Sequence, residues 1–131
     1  MSKNNDTIFI TGSSGFVGFH LTQLFLEKDL NVVGIDSINN YYDVKLKIDR
    51  NKILKKYKNF NFYKGTIENF NLLTKIFETH KPSIIIHLAA QAGVRYSIIN
   101  PRSYLENNIV GTFNILEISK KFNINHLLIA S

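Results

Sequence analysis

The 131-residue chain contains no cysteine, which excludes disulfides and thiolate metal sites. It has two prolines, no low-complexity run and no internal repeat, which argues against disorder and against a solenoid. No apolar run approaches the ~20 residues that span a bilayer. The polar start MSKNNDT leads straight into a strand pattern and does not read as a signal peptide. The four histidines form no ligand spacing, so no metal is expected. These absences read as a cytoplasmic chain with no membrane partner. What is present suits one compact domain over residues 1–131, with 44% apolar and 12% aromatic residues to build its core.

The net charge of +6 is unevenly placed. Residues 43–64 hold eight Lys/Arg against two Asp and account for all of it, while the remainder is balanced. A basic helix there could touch phosphate. The plainer reading is a solvated lysine face with Val44, Ile48 and Tyr57 on its inner side, because a charge run alone is a weak signal. No nucleic-acid partner is expected.

Short apolar runs alternate with helical patterns along the chain. TIFIT (7–11), NVVGID (31–36), FNFYKG (60–65), SIIIHLA (83–89) and HLLIAS (126–131) read as strands. Helices are expected over 15–28, 42–57, 68–80 and 101–122, the first with Val17, Leu21, Leu24 and Phe25 on one face. This β-α alternation calls for an α/β fold, a Rossmann-type doubly wound parallel sheet of about five strands. The expected strand order is 3-2-1-4-5, with a ligand crevice between the first and fourth strands.

Between the first strand and the first helix stands TGSSGFVG, with glycines at 12, 15 and 18. A glycine triplet alone is weak evidence. Here a strand precedes it, a helix follows, and the second strand ends in Asp36, eighteen residues beyond Gly18. Gly12 would allow the tight turn, Gly15 a close approach to a pyrophosphate, and Gly18 close helix–strand packing. The helix N-terminus would offer unpaired N–H groups to the phosphates. A carboxylate at Asp36 could accept from both ribose hydroxyls and would repel a 2′-phosphate, favouring NAD. A strand-end turn residue is the alternative for Asp36.

The G-x-x-G-x-x-G spacing after TG resembles the extended short-chain dehydrogenase/reductase family. So do HLAAQAGVRYS (87–97), NP (100–101) and NNIVGTFNILE (107–117). GIDSINNYYDVKLK (34–47) and AAQAGVRYS are similar to the UDP-glucuronate 4-epimerase branch of the nucleotide-sugar epimerases. The resemblance implies NAD as cofactor and a nucleotide-sugar substrate. Hydride would pass from sugar C4 to NAD and back, in members that are often homodimers.

By the same resemblance, Gly12, Gly15, Phe16 and Val17 face the pyrophosphate, with Gly18 completing the cofactor-binding motif by its packing, and Asp36, Ser37 and Asn40 face ribose and adenine. Thr66 and Ile67 stand where the family carries an Asp that reads the adenine amino group. Leu88, Ala89, Ala90 and Gln91 line the nicotinamide side. Asn108 holds the region behind it by a buried polar contact, with Tyr104, Gly111 and Ile115 as packing. Arg95 is the candidate for a substrate contact, with a surface salt bridge as the competing reading. His87 reads as a satisfied core histidine.

The family's catalytic base is the tyrosine of a Tyr-x-x-x-Lys that follows the fifth strand, and no catalytic residue is expected within this chain. Tyr41 to Lys45 matches the spacing but falls on the adenosine side. The expectation is therefore the N-terminal, NAD-binding portion of such an enzyme, inactive alone and without a substrate domain. A complementing C-terminal chain is a possible partner. A non-catalytic NAD-binding module and a portion of a 4,6-dehydratase are the alternatives.

Overall fold

The computed structural model describes residues 6–38, 44–89, 101–102 and 106–130. The strands are β1 (Thr7–Thr11), β2 (Asn31–Asp36), β3 (Phe60–Lys64), β4 (Ile84–His87) and β5 (His126–Ile129). The α-helices are α1 (Phe16–Glu27), α2 (Val44–Leu54), α3 (Phe70–His80) and α4 (Gly111–Lys121). The strands form one parallel sheet in the order β3-β2-β1-β4-β5, as the β-α alternation predicts. β1 sits at its centre between β2 and β4, so the switch in strand order falls between β1 and β4.

The central strands are apolar on both faces because both faces are covered. One cluster packs Phe9, Val33, Ile35 and Ile85 against Leu73, Ile76 and Phe77 of α3 and Ile115 and Ile118 of α4. The other packs Ile8, Ile10, Val32 and Ile86 with Phe19 and Leu26 of α1 and Leu54 of α2. Phe9 and Phe77 meet edge to face with ring centres 4.9 Å apart, a geometry that adds about 0.5–1.5 kcal/mol to the burial itself. At α3, the Asn69 side chain accepts the Leu72 N–H at 3.1 Å and caps the helix.

Two helices are rotated relative to their sequence patterns. On α1 the buried residues are Gly18, Phe19, Thr22 and Leu26, whereas Val17 and Leu24 are exposed. Gly18 sets this rotation: a Cβ there would lie 2.0 Å from the Gly12 carbonyl oxygen, so the glycine must face the loop. Val17 and Leu24 of the expected stripe turn outward and line an open groove of about 420 Å³ with Phe16, His20 and Leu21, while Leu21 and Phe25 still pack partly buried against the core. On α2 the inner face carries Lys47, Asn51 and Leu54, while Ile48 is exposed. The solvated lysine face therefore has an exception, since Lys47 points inward to an acid.

The expected helix over 101–122 is not a uniform α-helix. A five-residue π-type turn, Glu106–Val110, precedes α4. Such wide turns are uncommon and often stand at functional sites.

Candidate functional site

The β1–α1 connection folds as a tight loop over the carboxyl ends of β1 and β2. Gly12 has φ +75°, a conformation glycine adopts without strain. Its N–H donates to the Ile35 carbonyl at 2.8 Å, and the Gly15 N–H donates to the Gly12 carbonyl at 3.1 Å. A Cβ on Gly12 would stand 3.1 Å from the Ala89 nitrogen and 3.2 Å from the Leu88 carbonyl carbon. The loop thus lies directly against the segment that leaves β4.

A Cβ on Gly15 would meet only the Gly12 oxygen, at 3.4 Å, so the loop's outer side is bare backbone. No side chain caps α1 and no acid stands in its first turn. The first N–H groups of α1 and their partial positive charge are left for an anion. The Ser13 and Ser14 hydroxyls are buried without a hydrogen-bond partner among the described residues. Phe16 and Val17, at the helix start, are exposed.

Asp36 ties this loop to β2 and α2. Its Oδ2 accepts the Ser14 N–H at 3.0 Å, and its Oδ1 accepts the Ile38 N–H at 2.9 Å and the Lys47 ammonium at 3.1 Å. The bond to Ile38 forms an Asx-type turn and holds that residue at φ +52°. A β-branched side chain there carries strain of about 1–3 kcal/mol, so the surrounding contacts must enforce it. Arg50, one turn beyond Lys47, donates to the Ser14 carbonyl at 3.2 Å. Its guanidinium carbon lies 5.8 Å from the centre of the Phe16 ring.

At the β1–β4 switch point a second network forms. Thr11 Oγ1 lies 2.7 Å from His87 Nδ1 and accepts the N–H groups of Leu88 and Ala89 at 2.8 and 2.9 Å. His87 Nε2 lies 3.1 Å from Thr112 Oγ1 on α4. A hydroxyl accepts twice and donates once, so the Thr11 proton is directed at Nδ1 and the imidazole proton sits on Nε2. His87 is therefore a core histidine with both nitrogens satisfied, and burial holds it below its ordinary value of 6.5.

Gly12, Gly15, Gly18, Asp36, Leu88 and Ala89 gather at the carboxyl ends of β1, β2 and β4. Ser37 is half-buried beside them. Thr66 is exposed and Ile67 is buried in the core, where it fills the space a Cβ on Gly111 would need. Asn108 is half-buried in the π-type turn. Further along, Asn114 Nδ2 donates to the carbonyls of Ile67 and Glu68 at 2.9 and 3.0 Å. Asn40, Tyr41, Ala90, Gln91, Arg95 and Tyr104 lie outside the described residues.

Sequence reasoning missed Thr11, Lys47, Arg50, Thr112 and Asn114. Thr11 and Asn114 carried a signal, as polar residues closing an apolar strand and standing on an apolar helical face. Among the described residues no helix is long and apolar enough to cross a membrane, and no group of three His, Cys, Asp or Glu could hold a metal.

The family model for GDP-mannose 4,6 dehydratase matches residues 9–131. The Protein CapI of Staphylococcus aureus is 52% identical over 124 residues, covering 95% of this chain and 37% of that protein. A UDP-glucuronate 4-epimerase of Thermodesulfobacterium geofontis is 47% identical over 122 residues, covering 93% of this chain and 38% of that protein. Among solved structures, a UDP-glucuronic acid 4-epimerase variant from Bacillus cereus, in complex with UDP-4-deoxy-4-fluoro-glucuronic acid and NAD, superimposes with a TM-score of 0.83. It is 32% identical and covers 94% of this chain and 39% of its own. The UDP-glucose 4-epimerase of Bifidobacterium longum, in complex with NAD+ and UDP, gives a TM-score of 0.80 at 27% identity, covering 95% and 36%. The chain thus spans well under half the length of the proteins it matches. Matched from β1 through β5 by the family model, the chain belongs to the GDP-mannose 4,6-dehydratase family.

Proposed function

We propose that residues 1–131 form the NAD-binding domain of a nucleotide-sugar 4-epimerase of the UDP-glucuronate/UDP-galacturonate type, working in the cytoplasm. The observation that carries this reading is the uncapped N-terminus of α1 beneath a bare backbone loop, fastened to Asp36 by the Ser14 N–H. Gly12, Gly15, Phe16 and Val17 would hold the pyrophosphate, with Gly18 packing the helix against their loop and Asp36, Ser37 and Asn40 toward the ribose and adenine. Thr66 would stand at the adenine, with Ile67, buried in the core, behind it. Leu88, Ala89, Ala90 and Gln91 would flank the nicotinamide, and Asn108 would support them. Arg95 would meet the sugar nucleotide.

NAD, when bound, would supply the acceptor for a hydride from sugar C4 and return it to the opposite face. The chain's own part is to bind and orient. Thr11 and His87 fix the backbone at Leu88 and Ala89, so that the floor of the crevice is held rigid. The one Tyr-x-x-x-Lys spacing, Tyr41 to Lys45, has its lysine on the solvent side of α2, bonded to Asp49 at 3.0 Å. Deprotonation of the sugar hydroxyl therefore has no base within these residues, and the chain alone is expected to be inactive. Incubating the purified chain with NAD and UDP-glucuronate tests this: formation of UDP-galacturonate would overturn it.

A second reading, a partner subunit that docks a complementing chain, is favoured by the sheet edge. β5 is the outermost strand on its side, and Leu128 and Ile129 on it are exposed. Ile109, Phe113 and Leu116 form a further exposed apolar row at helical spacing.

A further inference from the structure

The cations that give the chain its net charge stand mostly on one surface. Residues 44–58 hold seven Lys/Arg and one Asp. Lys47 turns inward to Asp36, and Arg50 is half-buried against the Ser14 carbonyl. The other five, Lys45, Lys52, Lys55, Lys56 and Lys58, are exposed. Asp49, the acid of this stretch, is bonded to Lys45 at 3.0 Å.

The same surface carries three branched aliphatic side chains. Leu46, Ile48 and Ile53 are 46%, 43% and 41% exposed, while α2 packs inward through Lys47, Asn51 and Leu54. Leu46 and Ile53, seven residues apart, share one flank of the outer face, and Ile48 stands on the other. Lys45 and Lys52 run between the two flanks, and Lys55, Lys56 and Lys58 follow beyond Leu54, where the helix ends. The expectation of a plain lysine face put Ile48 on its inner side, and the exposure of Ile48 removes that ground.

A purely solvated face gains nothing from exposed leucine and isoleucine, and neither does binding to the phosphates of a nucleic acid. An anionic bilayer meets both features. Its headgroups attract the ammonium groups, worth about fivefold in binding for each lysine at the surface. Its acyl boundary takes up the aliphatic side chains, while the lysine stems reach back to the headgroups. Lying on a bilayer, unlike crossing it, requires no spanning length.

We propose that the outer face of α2, with Lys55, Lys56 and Lys58 beyond it, is a docking surface for an anionic lipid bilayer. The helix lies on it in the plane of the headgroups.

Co-sedimentation of the purified chain with phosphatidylcholine vesicles containing about 30% phosphatidylglycerol tests this. Binding is expected, and it should be at least about tenfold weaker on phosphatidylcholine alone or in about 0.5 M salt. Lys52→Gln with Lys56→Gln should weaken it about tenfold or more. Leu46→Ser with Ile53→Ser should weaken it at least about fivefold, a change that a partner held by charge alone would not register. Circular dichroism monitors folding, and Ile48→Ser is the arm that decides if the paired serine variant does not fold. A folded chain that stays in solution beside the anionic vesicles, or binding unmoved by the serine changes, would overturn the inference. Tighter binding to a duplex DNA oligonucleotide than to the vesicles would overturn it in favour of a nucleic-acid partner.

Discussion

Thr11 Oγ1 lies 2.7 Å from His87 Nδ1, and the two residues are register partners at the carboxyl ends of β1 and β4. One hydroxyl there joins two strands and also fixes the Leu88 and Ala89 amides. Thr11→Val should leave a buried imidazole nitrogen and the Ala89 N–H without a partner. At about 1–3 kcal/mol for each unsatisfied group, the expected loss is about 3 kcal/mol. Urea denaturation measures it, and Thr11→Ser should restore most of the stability.

The burial of His87 sets a pH dependence. His87 is held below 6.5 by burial, so the unfolded chain binds the proton more readily than the folded one. This contribution to stability is complete above pH 6.5 and is lost as pH falls from there through the lowered folded value. His80, whose Nε2 lies 2.6 Å from the Tyr63 hydroxyl, is lowered in the same direction by burial. Unfolding free energies should therefore fall between pH 7 and pH 5. A His87 nitrogen-15 spectrum should show the Nε2–H form, and a protonated imidazole at pH 6.5 would contradict the assignment.

Gly18 and Gly15 should respond differently to the same methyl group. Gly18→Ala would place a Cβ 2.0 Å from the backbone oxygen of Gly12, which cannot move without undoing the loop. A loss above about 3 kcal/mol, or failure to fold, is expected. Gly15→Ala meets only one atom, at 3.4 Å, and should fold with a native circular dichroism spectrum. Its methyl group would project from the bare side of the loop, so NAD binding should weaken at least about tenfold.

Asp36 and Lys47 form a buried pair whose partners are not separable. Removing one, as in Asp36→Ala or Lys47→Met, should destabilise by about 3–5 kcal/mol because the other is left uncompensated. The double variant Asp36→Asn with Lys47→Met should cost less than the sum of the single changes, by a coupling of at least about 1 kcal/mol. Weaker NAD binding in Asp36→Ala alone thus has two sources, the lost ribose partner and the loosened loop. The neutral double variant separates them.

The strands and their order were legible because apolar β-branched runs alternate with helical patterns, and such a parallel sheet admits few topologies. The glycine loop was legible because strand, glycines, helix and Asp36 stand in register along the chain. The orientation of α1 was not. Its apolar stripe pointed to Val17 and Leu24, but the contact of Gly18 with the Gly12 carbonyl outranks the stripe and turns them to solvent. Lys47 was hidden in a lysine-rich run, since only the fold brings its ammonium to an acid eleven positions away. Thr112 was equally hidden, its partner His87 lying twenty-five positions earlier.

The reading of the glycine loop as an NAD cradle is tested most directly by calorimetric titration of the purified chain with NAD. Saturable binding near one NAD per chain is expected, abolished in a folded Gly15→Val variant. Absence of binding at millimolar NAD, in a chain whose spectrum shows it folded, would contradict the assignment of the glycine loop.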